Sequence, residues 1–165
     1  VKTKKIKPFV VEAQKRGIIF DVGFGGISFA YSQAIPALQQ GFYPNSISTD
    51  MNKGAINGAM KDLLTVMSKF LAMGMDLTAV IRATTSNPAK EIKREELGTL
   101  SAGSVADVSV FNLREGKFGF FDYTGYKMNA TKKLECEMTI RAGKIVYNLN
   151  GISDPVVTSI REHTF

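Results

Sequence analysis

One cysteine, one histidine and no long apolar run set the first limits on this 165-residue chain. A single thiol, Cys136, cannot close an internal disulfide, so a reducing, cytoplasmic setting is expected. Hydrolytic metal centres commonly use two or more imidazoles, and the one imidazole here is His163, near the end of the chain. A self-contained metal site is therefore hard to build. No apolar stretch approaches the roughly 18 residues of a membrane span, so no membrane partner is expected. Residues 1–7 carry Lys2, Lys4, Lys5 and Lys7 with no apolar run behind them, so this stretch is not expected to be a secretory signal. The chain opens on Val1 and not on Met, as expected of a trimmed chain, a processed product or a piece of a longer one.

Nucleotide and nucleic-acid signatures are also missing. Gly23-Phe24-Gly25-Gly26 has neither GxGxxG spacing nor a P-loop lysine, although a glycine-rich strand-to-helix turn can cradle phosphate. The net charge is +6, but beyond the first residues the lysines are spread out. There is no aromatic–basic ribonucleoprotein motif, zinc finger or helix-turn-helix pattern, so the basic end reads as solvated and no nucleic-acid partner is expected. Internal repeats and low-complexity segments are absent.

What is present is a globular composition, 44% apolar, in two textures. Residues 1–93 read as alternating helix and parallel strand. Pro8 opens a short helix over 9–16 that Gly17 stops. Residues 18–22 form an apolar, β-branched run, expected as a strand buried on both faces. Residues 28–40 are helical, with Pro36 kinking or restarting the helix and Gly41 ending it. Residues 46–50 form a second strand, parallel to the first. The 3.6-residue period predicts a helix over 56–73, with Ile56, Met60, Leu63, Leu64, Met67, Phe70 and Leu71 inside. Asn57, Lys61, Asp62, Thr65, Ser68 and Lys69 fall on its outer side. Its methionines read as core filler. Asp76 caps a further helix, and Pro88 opens one more turn.

Residues 94–151 read as all-β, with strands over 105–113 and 117–123. Strict alternation over 134–141 puts Leu134, Cys136, Met138 and Ile140 on one face, and Ala142-Gly143 turns the chain into 144–147. Cys136 thus belongs to an apolar face and reads as unreactive. Phe118, Phe120, Phe121, Tyr123 and Tyr126 are expected in sheet packing or a subunit interface. Residues 152–165 form a tail with few packing signals, expected to be partly disordered or vector-derived.

In an α/β barrel the carboxyl ends of the strands carry the chemistry. Asp50 stands at such a tip, as a metal ligand or proton shuttle, with helix N-capping as the structural alternative. Asp21 lies inside the first strand and reads as structural.

Several motifs identify a family. Leu97-Gly98-Thr99-Leu100-Ser101-Ala102-Gly103-Ser104-Val105-Ala106-Asp107 resembles the G-x-L/I-x-x-G-x-x-A-D signature of the metal-dependent amidohydrolase superfamily. Thr84-Thr85-Ser86-Asn87-Pro88-Ala89-Lys90 resembles the T-x-N-P-A segment before it, and Ile140-Arg141-Ala142-Gly143-Lys144-Ile145-Val146-Tyr147 resembles the closing strands. Phe20-Asp21-Val22-Gly23, Gln39-Gln40-Gly41-Phe42-Tyr43-Pro44 and Ser46-Ile47-Ser48-Thr49-Asp50 are similar to the dihydroorotase-like amidohydrolase/deacetylase branch. The resemblance implies the C-terminal part of a TIM-like (β/α)8 barrel, followed by strands of a small β-sandwich. It implies hydrolysis of amide or cyclic-amide C–N bonds and a divalent metal, zinc first. Asp50 becomes the strand-eight metal ligand and proton shuttle, and Gly23, Gly25 and Gly26 shape the substrate pocket. Asp107 reads as a turn or cap residue. The branch carries histidine where this chain has Phe24, and often where it has Asn52. The family's H-x-H pair, carboxylated lysine and middle histidine would all precede Val1. The resemblance therefore implies a chain inactive in isolation, working as a homo-oligomer or with a complementing chain on a small amide. The alternative is a non-catalytic structural relative that has lost its ligands.

Overall fold

The computed structural model of the chain describes residues 5–156, so Lys2, Lys4, His163 and the end of the 152–165 tail lie outside the described residues. The described chain is mixed α/β. Its order is α1 (Pro8–Lys15), β1 (Asp21–Gly23), α2 (Tyr31–Gln39), β2 (Ser46–Ser48), α3 (Leu63–Ala72), α4 (Leu77–Thr84), α5 (Ser86–Glu91), a 3-10 turn (Glu95–Gly98), β3 (Val108–Phe121), β4 (Lys127–Arg141) and β5 (Lys144–Asn148). Among the described residues no helix is long and apolar enough to cross a membrane.

α1 starts on Pro8, whose missing N–H costs nothing in a first turn, and ends before Gly17 at φ +90°. β1 and β2 pair in parallel, Asp21 opposite Ser46 and Gly23 opposite Ser48, with α2 between them in sequence. β1 is shorter than expected. Ile18 and Ile19 lie before it and are about half exposed, 54% and 51%, because the ladder begins only at Asp21. Asn45 fixes that start: its Oδ1 accepts from Phe20 N at 2.9 Å, and its carbonyl accepts from Asn87 Nδ2 at 2.7 Å.

α3 also departs from expectation, beginning at Leu63 and not near residue 56. Lys61 sits at φ +61°, outside the helical region, and the Asp62 carboxylate caps the helix by accepting from Thr65 N at 2.6 Å. Upstream, Asn52 Oδ1 organises turns by accepting from Gly54 N and Ala55 N, both at 3.1 Å. The side of α3 expected to face solvent is buried too: Thr65, Ser68 and Lys69 are all covered. Ser68 shows how, because its hydroxyl donates to Leu64 O at 2.6 Å and accepts from Leu134 N on β4 at 2.9 Å. The sheet therefore packs on the face that periodicity assigns to water.

The two strands expected over 105–113 and 117–123 are one, β3, paired antiparallel with β4 from Val108–Ile140 to Phe121–Lys127. The register shifts between Glu115 and Phe118, which is where the sequence suggests a break. A second shift leaves Glu137 as the extra residue between Cys136 and Met138. Its buried carboxylate accepts from Asn112 Nδ2 at 2.8 Å and from Asn150 Nδ2 at 3.0 and 2.8 Å. β5 completes a three-stranded sheet of order β3-β4-β5, and the other sheet among the described residues is the β1–β2 pair. The β4–β5 turn is Ala142-Gly143, at φ +47° and +76°, the tight hairpin its sequence position announces.

The signature motifs pack on one another. A Cβ on Gly98 would lie 2.6 Å from Ala89 Cβ and 2.8 Å from Ser86 Cα, so the 3-10 turn closes directly onto α5. Asp107 acts as a cap, with Oδ1 accepting from Ala142 N at 2.7 Å. One core runs through both halves of the chain, from Phe24, Phe29, Tyr31 and Ile47 through Val66 and Phe70 to Phe120 and Leu134.

Candidate active site

The parallel pair builds a polar strip that leads to Asp50. Asp21 and Gly23 alternate onto one face of β1, Ser46 and Ser48 onto the matching face of β2. Both serine hydroxyls donate to Asp21, at 2.8 Å from Ser46 and 2.6 Å from Ser48. Asp21 thus pins the two strands together with both carboxylate oxygens engaged, the structural role its place inside the strand suggests. Past the ladder, Gly25 N donates to Thr49 O at 2.8 Å, holding the two strand tips side by side.

Asp50 follows at φ +46°, a left-handed backbone that L-residues other than Asn and Asp rarely adopt. This brings its side chain over the bare backbone of Gly23 and Gly25. A Cβ on Gly25 would lie 2.6 Å from Asp50 Oδ2, and one on Gly23 would lie 3.1 Å from Asp50 Cβ. Both glycines are required as the seat of this carboxylate. Gly26 is not part of that seat, since a Cβ there meets nothing within 4 Å. Asp50 caps no helix: the next one, α3, is capped by Asp62. Its carboxylate is exposed and has no hydrogen-bond donor among the described residues.

Phe24, between the two seat glycines, turns the other way. It is fully buried, stacked on Phe29 with centroids 4.7 Å apart, and Lys69 Nζ lies 3.8 Å from its ring centroid. Lys69 also donates to Ala59 O, and its ammonium is shielded completely from solvent. Burial pushes its pKa down to about 8, with Asp122 opposing that shift, Lys61 adding to it and Asp62 opposing it. A histidine at position 24 with this rotamer would therefore meet Lys69 and not Asp50. Asn52 is equally unavailable, because its side-chain oxygen is committed to the 54–55 turn.

The described residues do not fit a divalent metal by themselves. No group of three His, Cys, Asp or Glu side chains converges among the described residues. Asp21 has both oxygens satisfied, Cys136 lies on β4 with its Sγ 3.6 Å from Thr139 Oγ1, and Asp50 alone remains. One carboxylate cannot replace the three protein ligands of a catalytic zinc centre.

Two charged residues that matter to this region have weak sequence signals. Lys69 carries none. Asp122 opens Asp122-Tyr123-Thr124-Gly125, a legible Asx-turn pattern, but its reach to α2 is invisible in sequence. Of the aromatics read as packing residues, Phe120 is buried, while Phe121, Tyr123 and Tyr126 are about half exposed.

An aspartate over glycines, just past the carboxyl tips of two parallel strands, stands where α/β barrels carry their chemistry. The sequence profile of the Amidohydrolase family matches residues 31–146, and the chain belongs to that family. It is 34% identical over 147 residues to a deacetylase of Enterococcus faecalis, which covers 88% of this chain and 40% of the deacetylase. A crystal structure of an adenine deaminase matches with a TM-score of 0.83 at 34% identity, over 87% of this chain and 39% of that one. A dihydroorotase structure matches with a TM-score of 0.78 at 31% identity, over 85% and 38%. The chain thus spans well under half the length of the relatives it matches. The family generally uses a divalent metal.

Proposed function

We propose that this chain is the C-terminal portion of a hydrolase acting on amide or cyclic-amide C–N bonds, and that it is inactive in isolation. Residues 1–93 would be the last strands and helices of a (β/α)8 barrel, 94–151 its sandwich strands and 152–165 a tail. The observation that carries the reading is the unpaired Asp50 carboxylate, held over Gly23 and Gly25 at the carboxyl end of two parallel strands. In that position it takes a proton from the attacking water and returns it to the leaving nitrogen. Gly23 and Gly25 leave the room that the Asp50 side chain itself occupies. The remaining ligands would come from the rest of a full-length chain or from a complementing chain. Supporting this, β1 and β2 form a two-stranded sheet with open edges, next to exposed Ile18, Ile19 and Ile27.

A second reading has its own observation. Phe24 buried against Phe29 and Lys69 is what a scaffold that no longer needs a ligand there would show. One experiment separates the two. The missing N-terminal part of the Enterococcus faecalis deacetylase is fused ahead of this chain and assayed on N-acetyl amino acids and cyclic amides. The hydrolase reading expects turnover in the fusion, none in the chain alone, and a fall of at least about 100-fold in kcat on Asp50→Asn. A folded fusion with no turnover overturns it in favour of the scaffold.

A further inference from the structure

Two asparagines of the chain, Asn57 and Asn150, stand directly before a glycine. The others precede Ser46, Lys53, Pro88, Leu113, Ala130 and Leu149. An Asn-Gly pair holds an electrophile and a nucleophile in neighbouring residues. The glycine nitrogen can close on the asparagine Cγ in a five-membered ring, and no glycine Cβ shields the approach. Both pairs follow an aliphatic residue, Ile56 or Leu149, so their intrinsic reactivity is alike. The fold treats them differently.

Asn57 lies in the segment of residues 51–61 that joins Asp50 to the Asp62 cap of α3. Asn57 and Gly58 are both exposed, and the Asn57 amide makes no hydrogen bond among the described residues. One bond restrains the nucleophile: Gly58 N donates to Ala55 O at 3.0 Å. A single turn bond outside the regular elements opens at little cost.

Asn150 is tethered instead. Its Nδ2 donates to both carboxylate oxygens of Glu137, at 3.0 and 2.8 Å. Glu137 is itself buried at the β4 bulge and accepts from Asn112 Nδ2 of β3 at 2.8 Å. This carboxylate opposes ring closure in two ways. It fixes the asparagine side chain, and it draws on the protons of the nitrogen that must gain one in order to leave.

We infer that Asn57 is a deamidation site of the folded chain, reacting through a succinimide, and that the Glu137 tether protects Asn150. Gly58 N gives its proton to solvent base and bonds to Asn57 Cγ. The Cγ–Nδ2 bond breaks, and the nitrogen takes a proton from water and leaves as ammonia. Water then opens the ring at either carbonyl, giving aspartate or isoaspartate. Each event adds a carboxylate to the segment between Asp50 and α3 and lowers the net charge from its starting +6. Isoaspartate also routes the backbone through a side-chain methylene, which changes the path from Asp50 to α3. The inference does not depend on the hydrolase reading, because it uses no property of the Asp50 carboxylate.

Incubation of the purified full chain in mildly alkaline, heavy-oxygen water at physiological temperature tests it, with both sites followed by peptide mass mapping. Asn57 is expected to convert at least about tenfold faster than Asn150, with the label in both aspartate and isoaspartate products. In urea, where neither pair is held, the two rates should come within about threefold of each other. Glu137→Ala should speed Asn150 at least about fivefold in the folded chain and leave Asn57 as it was. Equal rates at the two sites of the folded chain overturn the inference without recourse to any variant. So does an unconverted Asn57 in the folded chain when the urea-unfolded chain converts. An unchanged Asn150 rate in a folded Glu137→Ala variant overturns the tether.

Discussion

Replacing Asp122 with alanine is expected to cost about 3–5 kcal/mol of stability, measured by urea unfolding at pH 7. The side chain is nearly fully buried, and its oxygens accept four hydrogen bonds. Thr124 N donates at 2.9 Å, Thr124 Oγ1 at 2.7 Å and Tyr126 N at 3.1 Å, which shape the loop joining β3 to β4. Tyr31 N donates at 2.9 Å from the first turn of α2. α2 has no cap from its own N-cap residue, Ala30, so a carboxylate 91 residues away in sequence supplies it. Removing it leaves a buried N–H without a partner and removes one tie between α2 and the β3–β4 loop. Burial by itself would raise the Asp122 pKa, but the bonds from Thr124, Tyr31 and Tyr126 outweigh it and hold the carboxyl below its ordinary value. A depressed folded-state pKa stabilises above the unfolded value, about 3.9, and that contribution disappears as pH falls through the folded value. The alanine variant should therefore lose less stability than the unaltered chain on acidification below about pH 4. Equal stability of the two proteins at pH 7 would show that Asp122 is not the staple described.

The second large effect runs in the alkaline direction. Lys69 is fully buried with its pKa pushed down to about 8, whereas an unfolded lysine titrates near 10.4. Between these values the unfolded chain binds more protons than the folded one, so stability rises with pH. From pH 7 to 9.5 the gain is about 2 kcal/mol, and Lys69→Met should abolish it, leaving a flat curve over that interval. The window closes near pH 10, because the Tyr31 hydroxyl is buried without a partner and its pKa is raised, first by burial and then by Asp122. Above that point ionisation of the unfolded tyrosine pulls stability down. Parallel pH curves for the two proteins would mean that Lys69 is solvated.

Local punctuation was legible where a backbone requirement coincides with one residue type. Pro8 and Gly17 bracket α1, Asp76 caps α4 by accepting from Ala79 N, and Ala142-Gly143 makes its hairpin. Periodicity misled where a tertiary contact decided. Ile56 and Met60 extend the apolar period of α3 upstream, yet Lys61 at φ +61° and the Asp62 cap delay the start of the helix to Leu63. Lys69 and Ser68 look solvent-facing until β4 and Phe24 cover them. The break at Gly116 suggested two strands, whereas a register shift absorbs it within β3. At the site, the position of Asp50 just past a strand tip could be read from the sequence, as could Gly23 and Gly25 beside it, whereas Gly26 faces away from it. The direction of Phe24 could not, because a turn residue between two glycines has no periodicity to orient it.

Metal content tests the central claim most directly, which is that Asp50 is a lone contribution to a site completed from outside this chain. The purified chain, saturated with zinc, dialysed and measured by elemental analysis beside Asp50→Ala, should hold no more metal than the variant. Near-stoichiometric zinc that is lost with Asp50→Ala would contradict this, since the isolated chain would then already possess the other ligands.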